Sequence, residues 1–263
     1  MQFGIPTLIE LKSLEECAAL CRELGFQFVE LNMNLPEYQI NRIDPETFAH
    51  IADRYGIYYT IHLDENLNPC DFNERVTNAY IETVLQTIEF AKILRIPLLN
   101  MHLSKGVYFT LPEKKVYLFD EYMDTYLNKL TVFRDRCENA VGGADIKICI
   151  ENSDGYDKEF LQRGLTLLLE SKSFALTFDI GHNAVIGGGD EKVIMSHNNK
   201  LHHMHMHDAR GKNNHLPLGT GELDLPKYFD LASKHSCRGV LEAKTVAGLK
   251  VSAEWIKNKH FTF

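Results

Sequence analysis

Residues 202–215 read HHMHMHDARGKNNH, five histidines in fourteen positions. Such a tract is either low-complexity metal-binding sequence or part of a built site. The alternation separates the two. Counted by twos, His203, His205 and His207 share one side of an extended chain, and Met204 and Met206 share the other. The pattern recurs along the chain. Near the C-terminal ends of seven of eight apolar runs, one ligand-type side chain sits between hydrophobic or small neighbours: Glu30 in VEL, His62 in IHL, His102 in MHL, Glu151 in IEN, Asp179 in FDI, His205 in MHM and Glu242 in LEA. A lone buried histidine is more often a hydrogen-bonded core residue, and a lone buried carboxylate commonly pairs with lysine or arginine. Here the strand ends supply little basic charge, Lys244 being the main exception. Several converging carboxylates are strongly disfavoured as anions unless a cation lies among them, and a divalent metal meets that need.

Glu151, Asp179, His205 and Glu242 suit a borderline metal such as Mn²⁺, Co²⁺ or Zn²⁺. Adding His62 and His102 raises the imidazole share and shifts the balance towards Zn²⁺ or a two-metal site. His182, three residues beyond Asp179, and His215 are expected on loops, as further ligands or as groups that orient a substrate. His203 and His207 are expected to pack or to hydrogen-bond the ligands, and His202 has outward parity.

The elements that must position these residues alternate from one end to the other. Apolar, β-branched or aromatic runs at 3–9, 26–32, 57–63, 97–103, 145–152, 174–180, 201–208 and 237–244 read as strands. Helical spacing fills the intervals at 13–24, 44–56, 72–94, 118–141, 158–171, 225–235 and 252–259, with a weaker pattern at 190–200. Ser13 followed by Glu16 is a capping-box pattern. Asp44, Pro45 and Gly56 supply a cap, a first-turn proline and a closing glycine. Eight strands alternating with about eight helices argue for a parallel sheet with right-handed crossovers, and the length matches a (β/α)8 barrel. An open doubly wound sheet would invite GxGxxG after the first strand, and none occurs there. The GGGD at 187–190 reads as a flexible loop, and no proline- or glycine-rich linker divides the chain. The expectation is an α/β fold, a single (β/α)8 TIM barrel spanning residues 1–263.

The 263 residues are 44% hydrophobic with a net charge of −8. That supports a sizeable core and disfavours a nucleic-acid surface. The six cysteines form no CxxC pair, and the opening MQFGIPTLIE lacks the basic and apolar regions of a leader. No apolar run approaches eighteen residues, so no membrane span is expected. A soluble protein of a reducing compartment, the cytoplasm, fits these features.

The segments FDIGH (178–182), HMHDARG (205–211), HLPLGTGELD (215–224) and LEAK (241–244), in this order and spacing, resemble the xylose-isomerase-like barrels. That group includes sugar isomerases and epimerases and endonuclease IV. The resemblance implies a (β/α)8 barrel with a divalent metal at its mouth. Carried over from the sugar-epimerase branch, it makes Glu151, Asp179, His205 and Glu242 the four metal ligands. Glu151 and Glu242 then double as acid and base on opposite faces of the substrate. His182 holds a substrate oxygen, and Arg210 is the nearest counterpart of a substrate-binding arginine. Lys244 is grouped with these substrate-binding candidates.

The endonuclease IV branch implies three zinc ions. His62, His102, Glu151, Asp179, His182, His205, His215 and Glu242 match its ligand positions, but Asn213 stands where a ninth ligand, an aspartate, is needed. A neutral amide is a poorer zinc ligand. The loop after the second strand, NMNLPEYQINR, also lacks the basic character of a DNA-contacting loop, since Glu37 opposes Arg42. The metal shell resembles the nuclease; the loops and the charge do not.

The expected function is a divalent-metal-dependent isomerase or epimerase of a sugar or sugar phosphate, using zinc or manganese, with cobalt as a further candidate. The alternatives are a zinc-dependent endonuclease IV-like phosphodiesterase and a non-catalytic metal- or ligand-binding barrel. The expected partner is a small sugar-like molecule, with neither nucleic acid nor membrane. Tyr108, Phe109 and Tyr117 lie in a long stretch after the fourth strand, placed either to cover the mouth or to pack.

Overall fold

A computed structural model describes residues 1–153 and 155–259. The strands are β1 (Gln2–Pro6), β2 (Phe28–Asn32), β3 (Tyr58–His62), β4 (Leu98–His102), β5 (Tyr108–Thr110), β6 (Lys115–Tyr117), β7 (Lys147–Glu151), β8 (Phe174–Asp179), β9 (Leu201–Met206), β10 (Asp208–Arg210), β11 (Asn213–Leu216) and β12 (Arg238–Leu241). The helices are α1 (Leu14–Leu24), α2 (Pro45–Tyr55), α3 (Glu74–Leu94), α4 (Leu118–Glu121), α5 (Met123–Val141), α6 (Glu159–Leu169), α7 (Ile180–Val185), α8 (Asp190–Ser196), α9 (Leu225–Lys234) and α10 (Val246–Asn258). Strands β1, β2, β3, β4, β7, β8, β9 and β12 pair in parallel and close into a barrel in the order β1-β12-β9-β8-β7-β4-β3-β2. This is the expected (β/α)8 architecture. The expected domain span of 1–263 takes in residues 260–263, which lie outside the described residues.

Local chemistry explains most helix limits. Ser13 Oγ accepts the Glu16 backbone N–H at 3.2 Å, as the capping pattern predicts. The Glu16 carboxylate, however, accepts from the Lys12 N–H, one residue earlier than the reciprocal bond of a capping box. Asp44 caps α2, Pro45 opens it, and Gly56 closes it at φ 63°.

Four expectations are corrected. The helix expected over 118–141 breaks at Tyr122, whose φ of −112° and ψ of 46° leave the helical region. The last helix starts at Val246, well before residue 252, with Thr245 capping Gly248 N–H. Gly248 hides that start, because glycine lowers helical propensity, but a Cβ there would meet Ala243 Cβ at 3.1 Å. His182, expected on a loop, lies in α7, which Asp179 caps by accepting the His182 N–H at 2.7 Å. His215, also expected on a loop, lies on β11 of the short antiparallel hairpin β10–β11, and the stretch after β4 carries a second hairpin, β5–β6.

Alternation then sorts the strand side chains. Met204 and Met206 are buried outside the barrel wall with the main apolar core, while the other parity faces inward. At the N-terminal end of the interior, Phe28 stacks on Tyr58 at 5.2 Å, beside the Leu98, Cys149 and Ala175 cluster. The layer above is polar: Glu30, Thr60, Asn100, Thr177 and His203 are all fully or almost fully buried. The mouth layer follows. Between Leu176 and Thr177 the β8–β9 register shifts, so that Leu176 pairs Leu201 but Thr177 pairs His203. The skipped residue is His202, and beyond this irregularity His203 and His205 pair with Thr177 and Asp179. All six cysteines are free and buried. Among the described residues no helix is long and apolar enough to cross a membrane.

Candidate metal centre

Glu151, at the end of β7, is the hub. Its Oε2 accepts from Asn100 Nδ2 at 2.5 Å and lies 3.4 Å from each of His62 Nε2, His102 Nε2 and His205 Nδ1. Its Oε1 lies 3.2 Å from His182 Nδ1. Thr177 Oγ1 donates to Asn100 Oδ1 at 2.6 Å, so a buried chain from β8 through β4 orients the carboxylate. Around His205 Nδ1 the other acids close in, with Glu242 Oε2 at 3.3 Å and Asp179 Oδ2 at 3.7 Å. Glu242 Oε1 accepts from Lys244 Nζ at 2.7 Å. His215, at φ 54°, holds a backbone conformation that non-glycine residues rarely adopt. Its Nδ1 donates to the Glu242 carbonyl at 3.2 Å.

The electrostatics follow from burial and mutual charge. Burial alone would raise the Glu151, Asp179 and Glu242 carboxyls. Facing imidazoles outweigh it and hold all three below the usual carboxylate range: His205 and His102 at Glu151, His207 and His182 at Asp179, and His205 at Glu242 with Lys244 and His215. Burial likewise opposes a charge on His205, but Glu151, Glu242 and Glu30 push its pKa well above the ordinary value. His182 rises to about 9, Asp179 and Glu151 overcoming its burial. His215, where burial dominates, falls to about 4. The acids therefore demand compensating positive charge, as their residue types suggest.

Whether a metal fits can be judged from the donors. Glu151 Oε1, His182 Nδ1, His205 Nδ1 and Glu242 Oε2 are buried without hydrogen-bond partners, an expensive arrangement for polar atoms. A tetrahedral ion with bonds of about 2.1 Å holds its donors about 3.4 Å apart. The separations from His205 Nδ1 to Glu242, Glu151 and Asp179, 3.3, 3.4 and 3.7 Å, bracket that value. The Asp179, His205 and Glu242 donors lie within 4.8 Å of one another, as do those of Glu151, Asp179 and His182 and those of His62, Glu151 and His205. The donor set fits a divalent cation.

The fold thus brings together Glu151, Asp179, His205, Glu242, His62, His102, His182, His215 and Lys244. It does not bring Arg210. That side chain is exposed and donates to the Thr220 carbonyl at 2.8 Å, away from the residues that line the mouth. Sequence reasoning gave Glu30 no role of its own and did not single out Asn100 or Thr177. Their inward parity was readable; their partners, on other strands, were not. Burial would raise the Glu30 carboxyl, yet His203 and His205 hold it below the usual range.

The mouth opens into a cavity of about 660 Å³, whose wall includes Glu65 and Asp71 of the β3–α3 segment. Gly106 and Val107, rather than Tyr108, Phe109 or Tyr117, contribute to its wall from the segment after β4. Among its lining residues Lys244 is the one lysine or arginine, and Glu242 already pairs with it.

A family model described as xylose isomerase-like TIM barrel matches residues 18–259. An uncharacterized protein of Methanocaldococcus jannaschii is 26% identical in an alignment covering 98% of this chain and 88% of that protein. Among solved structures, a D-tagatose 3-epimerase-like protein superposes with a TM-score of 0.79 at 24% identity, covering 98% of this chain and 96% of that one. The IolI protein, solved with a zinc atom bound, superposes with a TM-score of 0.76 at 15% identity, covering 100% of both chains. At these identities the structural likeness speaks for the fold.

Proposed function

The chain belongs to the xylose isomerase-like TIM barrel family, and on that premise we propose a divalent-metal-dependent isomerase or epimerase of an uncharged sugar, with Glu151 and Glu242 as the proton-transferring pair. The observation that carries this reading is the pair of buried, unpartnered oxygens Glu151 Oε1 and Glu242 Oε2. Strands β8 and β9 lie between β7 and β12 in the barrel order, so the two glutamates come from either side of Asp179 and His205.

Glu151, Asp179, His205 and Glu242 would hold the ion, with zinc or manganese suited to three carboxylates and an imidazole. Bound there, it would polarise adjacent carbonyl and hydroxyl oxygens of the substrate and acidify the neighbouring C–H. One glutamate accepts the proton from carbon, and the C–H electron pair delocalises into the carbonyl. The other, after taking up a proton from solvent, delivers it to the opposite face or to the adjacent carbon, and the first releases the abstracted proton to solvent, so product forms with no net change in protons or electrons. Lys244 donates to Glu242 Oε1 at 2.7 Å and holds the carboxylate with Oε2 turned towards His205 Nδ1. His182 lines the cavity wall and would hold a substrate hydroxyl. The similar D-tagatose 3-epimerase-like structure supports the reaction class, and a cavity wall whose one lysine or arginine is already paired with Glu242 offers a phosphate group no free ammonium or guanidinium.

Solvent exchange tests the reading. With metal and a panel of free ketoses in heavy water, the unsubstituted protein should incorporate deuterium at the carbon beside the carbonyl. Glu151→Gln and Glu242→Gln should each lower that rate by about 10²–10⁴-fold. Full exchange in both variants would sink the mechanism.

One observation favours a second reading. His62 and His102 both approach Glu151 Oε2 at 3.4 Å, giving the imidazole-rich edge that a second ion in a phosphodiesterase would use. Cleavage of an abasic-site duplex by the zinc-loaded protein, falling steeply with salt, would move that reading to the front.

A further inference from the structure

We infer that Glu30 is a positioning residue for the proposed metal centre: its carboxylate fixes which nitrogen of His205 faces the three acids. The inference rests on the reading that this site binds a divalent metal.

Glu30 sits one layer below the mouth on β2, separated from β9 by β1 and β12 in the barrel order. It is 2% exposed, and its ion-pair partners among the described residues are two histidines. Oε1 lies 3.0 Å from His205 Nε2. Oε2 lies 3.0 Å from His203 Nε2 and accepts from Thr60 Oγ1 at 2.9 Å. An ionised carboxylate only accepts hydrogen bonds, so each Nε2 must carry a hydrogen. For neutral His205 that leaves the lone pair on Nδ1, the atom lying 3.3 Å from Glu242, 3.4 Å from Glu151 and 3.7 Å from Asp179. A metal ligand must present a lone pair, and the hydrogen bond at the other nitrogen decides which one does.

The division of labour is specific. One oxygen serves each histidine, so a carboxylate satisfies both and a carboxamide cannot. In Glu30→Gln one side-chain position becomes an NH2 facing an Nε2–H. Either that bond is lost or one ring moves its proton to Nδ1. On His205 that proton would point at the acids and occupy the ligand atom. His203 provides the internal control, since its Nδ1 is buried without a partner and is absent from the His205 contacts with the three acids.

The test is zinc affinity of the full chain, measured by competition with a chromophoric chelator, with folding checked by circular dichroism. Glu30→Gln should weaken zinc binding by about 10–100-fold. His203→Gln, which leaves the Glu30–His205 contact in place, should stay within about threefold. Nitrogen-15 NMR of the zinc-loaded unsubstituted protein should show His205 protonated at Nε2 and ligated through Nδ1. That spectrum decides the matter even if Glu30→Gln does not fold. Ligation through Nε2, or a folded Glu30→Gln that binds zinc as tightly as the parent, would overturn the inference and leave the proposed reaction standing. A parent protein that binds neither zinc nor manganese would overturn both.

Discussion

The backbone N–H of His215 donates to Nδ1 of His207 at 2.7 Å. His207 Nδ1 is thereby an acceptor, so its ring proton lies on Nε2, 2.9 and 3.0 Å from the two oxygens of Asp179. The imidazoles of His182, His207 and His215 lie close enough together to suggest a three-histidine metal site. This bond argues otherwise, because neither nitrogen of His207 has a lone pair to offer an ion. His207 serves Asp179 instead, and the hairpin bearing His215 selects the tautomer that lets it do so.

Removing that support should loosen Asp179. His207→Ala is expected to weaken zinc binding by about 10–100-fold with the fold retained. Calorimetric titration of the chelator-stripped protein measures it, and unchanged affinity would assign His207 to packing alone.

Gly181 offers a second route to the same bond. A Cβ at that position would lie 2.0 Å from His207 Cε1, so Gly181→Ala must displace the ring. The expected outcome is a loss of about 1–3 kcal/mol in stability together with the metal-binding defect of His207→Ala. Urea unfolding and zinc titration on one preparation separate the two effects.

Asp208 is 1% exposed and accepts four backbone N–H groups, those of Ala209, Gly219, Gly221 and Leu223, at 2.8–3.1 Å. It gathers the loop that follows the His215 hairpin. Asp208→Ala strands those donors and should cost about 3 kcal/mol or more, read as a lower urea midpoint with an unchanged slope. A loss below about 0.5 kcal/mol would show that water satisfies the loop equally well.

The pH dependence of the chelated protein follows from His182. Its folded pKa of about 9 lies above the ordinary 6.5, so its contribution to stability is complete below pH 6.5 and disappears as pH rises through 9. In EDTA the melting temperature should therefore fall between those limits. With saturating zinc the ion balances the acids in place of protons, and the fall across that window should be smaller. Parallel curves with and without zinc would place the metal elsewhere.

The barrel was legible because its signals are local. Period-two alternation, strand–helix alternation, the Ser13 and Asp44 caps and the closing Gly56 depend on residues near each other in the chain. The mouth acids and imidazoles could be listed for the same reason, since inward parity needs only the strand itself. The misread elements fail by the same logic. Gly248 looks like a helix breaker until Ala243 is seen packed against it. Arg210 follows the seventh strand in the chain, as a substrate-binding arginine would, but the turn of its hairpin carries it to the Thr220 carbonyl.

The sequence by itself determined which side chains reach the barrel interior and that their summed charge calls for a cation. Tertiary structure alone decided which atoms of those side chains meet. His203, His205 and His207 have the same residue type and parity. The first two meet Glu30 from across the barrel, the third meets Asp179, and of the three only His205 turns an uncommitted ring nitrogen towards all three acids. An imidazole's role is set by the hydrogen bond at its other nitrogen. Here those partners arrive from distant segments, through barrel closure and the register shift beside Thr177, and no local pattern encodes them.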